Sequence, residues 1–182
     1  MRMSSPPPSP AKSQNTPDPL QLLLESHQQM RKFAALAAQL GKARGKQPAE
    51  LSEAASQIIR YFTLGMPMHA EDEDYSLAPR LFDVTLPPEV IKGLWEMARQ
   101  HEDLERAVDE LLPAWVAVRD TPERHRELAA YLTLGGRQLM SQVEEHLSME
   151  EQRLFPLIRE RLDEETLAVI AMEILDRRGQ LA

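Results

Sequence analysis

The chain contains no cysteine. This absence excludes disulfide bonds, zinc ribbons, thiol catalysis and iron–sulfur clusters. Long apolar runs are lacking too, since none approaches the ~20 residues that a membrane-spanning helix needs. The first ten residues, MRMSSPPPSP, lack the apolar core of a secretory signal. These absences predict a soluble, cytoplasmic protein.

A basic patch is absent as well. The formal net charge is -8 over 182 residues, so nucleic acid and anionic membrane surfaces would repel the chain. We therefore expect neither as a partner. Apolar residues make up 42% and charged residues 27%, which is the balance of a globular protein and excludes disorder throughout.

The composition changes near residue 18. Six of the 14 prolines lie in residues 1–19, among serine, glutamine, asparagine and lysine. Such a stretch cannot bury enough apolar area to offset the entropy lost on ordering. We predict a disordered tail over residues 1–18 and one folded domain over residues 19–182.

Glycine is scarce beyond the tail, and no segment alternates between apolar and polar residues as a half-buried strand does. Start and stop signals predict five helices, at about residues 19–40, 49–78, 85 to at least 112, 121–162 and 163–179. Asp18 and Asp163 are expected to cap the first and the fifth. Four long helices with short connections predict an all-α, up-down-up-down four-helix bundle with a short fifth C-terminal helix.

Helix breakers predict local irregularities within these helices. Pro67 is expected to bend the second helix and Pro79 to end it. Pro113 should bend or end the third helix. The adjacent Gly135 and Gly136 predict a kink in the middle of the fourth.

A pattern of the form His-x-x-x-Glu-acid-x-x-Leu-x-Pro occurs twice, late in the second and late in the fourth helix. A further histidine precedes each copy, by 42 residues in the first half and by 45 in the second. The two halves therefore look like copies of one helical hairpin. The residues that repeat in this way are His27, His69, Glu73, His101, His146 and Glu150.

These six side chains fall on the apolar faces of their predicted helices, because residues three or four apart lie on one side of a helix. In an up-down-up-down bundle the four histidines also lie at the same end, roughly 14–21 Å along the axis. An unpaired carboxylate at such a place would be costly. Coordination of a metal ion is one remedy, so the pattern predicts a metal site.

The kind of metal follows from the donors. Imidazole and carboxylate without thiolate suit iron, manganese or zinc. Six ligands are too many for one tetrahedral zinc. They suit two metals, each with two histidines, that share both glutamates as bridges. We expect two iron ions with an oxo or hydroxo bridge, and manganese or zinc as substitutes.

Over about residues 18–178 the sequence resembles the hemerythrin-like, or HHE cation-binding, family of di-iron four-helix bundles. The most specific segments begin at His69 and at His146, and the second continues as Leu154-Phe155-Pro156. The resemblance implies that the four histidines are terminal ligands and that the two glutamates bridge the irons. It also implies a ligand such as dioxygen or another small diatomic molecule, because members of the family bind dioxygen, sense oxygen or iron, or handle nitric oxide or peroxide.

One position departs from the oxygen carriers of this family. They have a second histidine four residues after the third-helix histidine, whereas this chain has Glu105. The pattern is closer to the iron-sensing branch. We expect one iron either to gain an exchangeable site or to take Glu105 as a ligand. If Glu105 is not a ligand, we expect it to accept a hydrogen bond from a ligand imidazole. Both outcomes disfavour stable oxygen storage.

Several functions remain open from the residues alone. A non-catalytic di-iron protein that binds or senses a small molecule is favoured. An oxidase, a peroxide-consuming protein or a nitric oxide reductase on the same site is the alternative. A phosphotransfer bundle needs an exposed histidine, and a ferritin-like protein uses Glu-x-x-His instead.

The remaining polar and aromatic residues receive simpler interpretations. The acidic residues Asp72, Asp74 and Glu151 could orient neighbouring side chains, but we expect them to be solvated carboxylates. His125 is expected to lie on the surface. Core or interface packing is the simplest role for the aromatic residues Phe62, Trp95, Trp115 and Phe155.

Overall fold

The computed structural model describes residues 17–82 and 85–179, and within them it contains helices and no strand. Residues 1–16, most of the predicted tail, lie outside the described part. Helix α1 covers Pro19–Leu40. The Asp18 side chain accepts a hydrogen bond from the Leu20 N–H at 3.0 Å, as expected of a cap.

The second helix, α2, runs without a break over residues 48–82. It consists of Pro48–Arg60, a π-turn at Tyr61–Gly65, Met66–Glu71, a second π-turn at Asp72–Leu77, and Ala78–Phe82. Helix α3 covers Pro88–Asp120.

After a single 3₁₀ turn at Pro122–Arg124, helix α4 extends over residues 125–161. It is made of His125–Met149, a π-turn at Glu150–Leu154, and Phe155–Arg161. Helix α5 covers Glu164–Gly179, and Asp163 caps it by accepting a hydrogen bond from the Thr166 N–H at 2.8 Å.

All three π-turns end two residues before a proline, namely Pro67, Pro79 and Pro156. The residue just before each proline donates its N–H to the carbonyl five residues earlier instead of four. A proline inside an α-helix lacks an N–H and its ring meets the carbonyl four residues back. The wider turn shifts the hydrogen-bond register there, so the helix continues. The expectation that Pro79 ends the second helix is therefore wrong.

The other predicted breakers have different outcomes. Helix α3 passes through Pro113 and ends at Asp120. Helix α4 remains a regular α-helix through Gly135 and Gly136. A Cβ at Gly136 would lie 2.6 Å from the Ala37 carbonyl oxygen of α1. The missing side chain therefore allows α1 and α4 to approach closely.

The four long helices have a cyclic pattern of neighbours. Helix α1 packs along α2 and α4, and α3 also packs along α2 and α4. The core between them forms two apolar clusters. Phe62 and Trp115 stack in the larger one, at a ring-centroid distance of 5.6 Å, and Phe155 belongs to the smaller. Trp95 is 68% exposed, so it is not a core residue.

In the part of the chain that is described, no helix is both long and apolar enough to cross a membrane.

Helix α5 packs against α1 and against the second π-turn of α2. Its last turn holds a buried carboxylate, Asp72, through ion pairs with Arg177 and Arg178. Arg178 also donates to the Ser26 hydroxyl of α1 at 2.8 Å. The expectation that Asp72 is solvated is wrong, since its side chain is buried. The sequence did not reveal its partners, because the two arginines lie more than 100 residues further along the chain.

The close approach of α1 and α4 leads to a first prediction. Gly136→Ala should lower the free energy of unfolding by about 1–3 kcal/mol, since the new methyl group meets backbone atoms that cannot move aside. Gly135→Ala is the matched control, because its methyl group would meet only the flexible Leu111 side chain. Urea unfolding of both variants measures the difference. An equal effect of the two substitutions would contradict this account.

The buried ion pairs of α5 lead to a second prediction. Asp72→Asn leaves Arg177 and Arg178 without their counter-charge and should cost about 3 kcal/mol of stability. Glu173→Gln removes a more exposed pair with Arg80 and should cost about 1 kcal/mol or less. Thermal unfolding of the two variants against the wild type checks the ranking.

Candidate metal centre

The six residues singled out by the sequence repeat come together in the interior. His27 lies on α1, His101 on α3, and the two His-x-x-x-Glu pairs on α2 and α4. None is more than 7% exposed, and four of them are fully buried. The set that converges is His27, His69, Glu73, His101, His146 and Glu150.

This polar group forms a layer between the two apolar clusters of the core. On α1, for example, Leu23 belongs to the smaller cluster and Met30 to the larger, and His27 lies between them. On α3, His101 lies in the same way between Met97 and Leu104. The apolar residues on both sides keep water away from the layer.

Glu150 lies between two histidines of different helices. Its Oε1 atom is 3.3 Å from His146 Nε2 and its Oε2 atom is 3.2 Å from His27 Nε2. Each carboxylate oxygen thus faces a different imidazole. This is the arrangement that a bridging carboxylate requires.

Glu73 has the corresponding position in the first repeat, but there a single oxygen faces both imidazoles. Its Oε2 atom is 3.2 Å from His101 Nε2 and 3.6 Å from His69 Nε2. Two groups of potential ligands follow, in each of which the ligand atoms lie within 4.8 Å of one another. The first contains His27 and His69, the second contains His101 and His146, and both contain the two glutamates.

The potential metal-ligating atoms of this layer have no hydrogen-bond partner in the described ranges. The Nε2 atoms of all four histidines and both oxygens of both glutamates are buried, and none of these eight atoms makes a hydrogen bond to any residue in the described ranges. Buried polar groups without partners are costly. Metal cations would satisfy all eight atoms, and imidazole with carboxylate is a donor set that suits iron, manganese or zinc.

The electrostatics of the metal-free centre are uneven. Burial, together with the charge of Glu73, raises the pKa of Glu150 well above its usual range. Burial also lowers the pKa of His69 to about 4 and that of His146 well below its usual value. Without a cation, burial therefore favours the neutral form of all three groups.

The other two groups are governed by attraction. Burial acts to lower the pKa of His101, but the Asp74 and Glu73 carboxylates outweigh it and raise that pKa to about 9. Burial acts to raise the pKa of Glu73, but the His69 and His101 rings outweigh it and hold that pKa below its usual range. Positive charge in this layer is therefore favoured next to Glu73.

Three of the histidines have a polar side chain beside the ring nitrogen that points away from the centre. His27 Nδ1 makes a hydrogen bond with Glu151 Oε1 at 2.8 Å, whereas His101 Nδ1 lies 3.4 Å from Asp74 Oδ1 without forming one. Glu151 is half-buried and not simply solvated, contrary to expectation, whereas Asp74 is exposed as expected. The repeat carries the signal that would have identified them, because an acid follows the glutamate in both copies.

The third partner was not expected at all. His146 Nδ1 is 3.2 Å from Gln100 Oε1, and this glutamine is 6% exposed. An isolated glutamine carries no pattern that distinguishes it from a surface residue. Only its position next to His101 places it near the centre.

Glu105 is exposed and belongs to neither ligand group. It lines a cavity of about 10 Å³ that lies against His69, His101 and His146. The remaining lining is mainly apolar and comprises Met30, Met66, Pro67, Ala70 and Leu104. A cavity of this size has room for about one water-sized molecule.

His125, expected on the surface, is 6% exposed, and its Nε2 atom is 2.6 Å from the Leu40 carbonyl oxygen. The last carbonyls of a helix have no partner within it. His125 at the start of α4 therefore satisfies the C-terminal end of α1. It lies on a different part of the fold from the other four histidines.

The raised pKa of Glu150 leads to a third prediction. In protein stripped of metal by a chelator, Glu150→Gln should raise the free energy of unfolding at pH 7, since the amide cannot take on the negative charge that burial penalises. A raised pKa in the fold penalises folding only above the ordinary carboxyl pKa. The gain should therefore vanish below about pH 4. Urea unfolding at both pH values tests this, and a gain that is the same at both would contradict it.

Comparison with known proteins agrees with this geometry. No individual curated protein matches the chain significantly. The family model described as the hemerythrin HHE cation binding domain matches residues 18–158. This range includes all six residues of the centre and ends before α5. The chain belongs to the hemerythrin HHE cation-binding domain family.

Proposed function

We propose that this protein is a non-heme di-iron protein that binds or senses dioxygen, iron or a related small molecule. The observation that carries the proposal is the pair of ligand groups that share both glutamates. One iron takes His27 and His69, and the other takes His101 and His146. Glu73 and Glu150 bridge them.

The fold supports this assignment. The four long helices form an up-down-up-down bundle in this proposal, because each packs against two of the others in cyclic order and the connections are short. In that arrangement each hairpin contributes one half of the centre. Both halves then carry equivalent ligands, as two similar metal positions require.

The chain's own residues hold the ions and exclude water, while the irons supply a pair of adjacent one-electron redox centres. Manganese and zinc accept the same donors and are the expected substitutes. The eight buried and unsatisfied donor atoms favour occupancy by cations over a metal-free role in the bundle core.

The cavity beside His69, His101 and His146 supports a small ligand. Its volume of about 10 Å³ leaves room for about one water-sized molecule, which suits a small ligand. Glu105 lines it from the solvent side, at the position where the oxygen carriers of this family have a histidine. We therefore favour binding or sensing over catalysis. Consumption of peroxide or nitric oxide is the enzymatic alternative of compatible size.

A fourth prediction concerns the metal content. Protein purified without added metal should contain two irons per chain and show an absorption that bleaches on reduction. Glu73→Gln removes a bridging charge from both metal positions and should leave at most one iron per chain. Glu71→Gln, two residues earlier on the same helix and exposed, is the matched control and should keep both. Metal analysis by mass spectrometry gives the counts.

Re-exposure of the reduced protein to air separates the functions. A stable, reversible spectrum of an oxygen adduct would identify an oxygen carrier. Slow reoxidation without an adduct supports sensing, and turnover of added peroxide or nitric oxide would support the enzymatic alternative. A wild-type protein that is colourless and takes up no iron would overturn the proposal.

A further inference from the structure

Glu150 and Glu151 are consecutive acids that contact the same imidazole from opposite sides. Glu150 Oε2 is 3.2 Å from His27 Nε2, and Glu151 Oε1 is 2.8 Å from His27 Nδ1. The histidine belongs to α1 and the two acids to α4. One dipeptide of α4 thus lies against both ring nitrogens of a histidine from a neighbouring helix, and hydrogen-bonds to one of them.

The first repeat contains the same arrangement. Glu73 Oε2 is 3.2 Å from His101 Nε2, and Asp74 Oδ1 is 3.4 Å from His101 Nδ1. Here the acids belong to α2 and the histidine to α3. A pair of consecutive acids beside a histidine of another helix occurs in both halves of the chain. This repetition indicates that the second acid of each pair has a structural role in addition to its contact with solvent.

The π-turns explain how consecutive residues reach one ring. In a regular α-helix, neighbouring residues point about 100° apart and do not face a common partner. Both acid pairs lie within π-turns, at Asp72–Leu77 and Glu150–Leu154. The hydrogen bonds of a π-turn span five residues, so successive side chains point less far apart than in a regular α-helix.

The two halves differ in how firmly the outer acid is held. Arg31 Nη1 donates to Glu151 Oε1 at 2.7 Å, and Arg31 Nε donates to Glu144 Oε2 at 2.8 Å. Glu151 is therefore anchored between an arginine and an imidazole. Asp74 is 41% exposed, and no lysine or arginine in residues 17–82 and 85–179 forms an ion pair with it.

We propose that Glu151, held by Arg31, is a positioning residue for metal binding at His27. It accepts the Nδ1 proton of His27, which fixes the tautomer and leaves the Nε2 lone pair directed at the metal position. Outer partners of this kind orient ligand histidines and strengthen them as donors. Asp74 lies 3.4 Å from His101 Nδ1 but forms no hydrogen bond with it, so His101 lacks an equally firm outer contact. The inference rests on the proposed metal-binding function.

The two metal positions are consequently unequal. The position at His27 is preorganised by a short, charge-assisted hydrogen bond. The position at His101 has the looser outer contact, and the cavity touches both of its histidines, His101 and His146, but only His69 of the other position. The first metal therefore binds at the His27 position, and the second, weaker site is the one beside the cavity, where the ions exchange and small ligands enter.

Cobalt(II) titration of the chelator-treated protein tests this proposal, because cobalt absorption reports both stoichiometry and coordination geometry. The wild type should bind two cobalt ions with distinct affinities. Glu151→Gln preserves size but removes the charge, and it should weaken the tighter site about 10–100-fold and change its spectrum. Asp74→Asn should affect only the weaker site, and by a smaller factor. Glu145→Gln, an exposed acid on α4, is the matched control and should leave both sites unchanged.

Two further measurements support the test, and the second needs no variant. Arg31→Gln frees Glu151 without removing it and should weaken the tighter site by less than Glu151→Gln does. Nitrogen NMR of the metal-free wild type should show the His27 proton on Nδ1, and a proton on Nε2 alone would overturn the inference.

The failure of this inference is distinguishable from the failure of the proposed function. If the wild type binds two cobalt ions and Glu151→Gln titrates like Glu145→Gln, then the positioning role is wrong and the metal function stands. If the wild type binds no cobalt, both are wrong.

Discussion

The structure depends on one constraint, which is the burial of eight potential metal-ligating atoms in one layer of the core. They are four imidazole nitrogens and four carboxylate oxygens, and they have no hydrogen-bond partner in the described chain. Such a layer costs free energy that the apolar clusters on both sides must offset. The protonation of the metal-free centre shows the same cost, because the fold suppresses the charge of Glu150 and of two imidazoles. The sequence retains this unfavourable layer in both repeats, and cation binding is the interaction that compensates for it.

Two of the three π-turns contain the glutamates of this layer. A regular α-helix presents only one of two consecutive residues to a given neighbour. In the turns that contain Glu73 and Glu150, two consecutive acids reach the same histidine of another helix. The proline that follows each turn favours the wider geometry, because it cannot accept the regular hydrogen-bond register. The proline of the repeated motif therefore contributes to the geometry of the centre.

Helix α5 extends this organisation beyond the range that the family model matches. Its two arginines hold Asp72, which directly precedes Glu73 in the same π-turn. The buried carboxylate and the arginines neutralise one another, so the turn is fixed from its outer side as well as from the centre. Arg178 also reaches α1, and α5 thereby connects the two helices of the first hairpin.

The sequence by itself determined the helical class, the ends of α1, and the set of six residues that converge, because helical periodicity and an internal repeat are local properties of the chain. It also identified the prolines but not their effect, since a π-turn and a helix end share the same local signal. Only the tertiary structure decided which other polar groups turn inward. The partners of Glu151, Asp72 and His125 lie 124, 105 and 85 residues away, and no local pattern specifies which distant group will meet a given polar side chain.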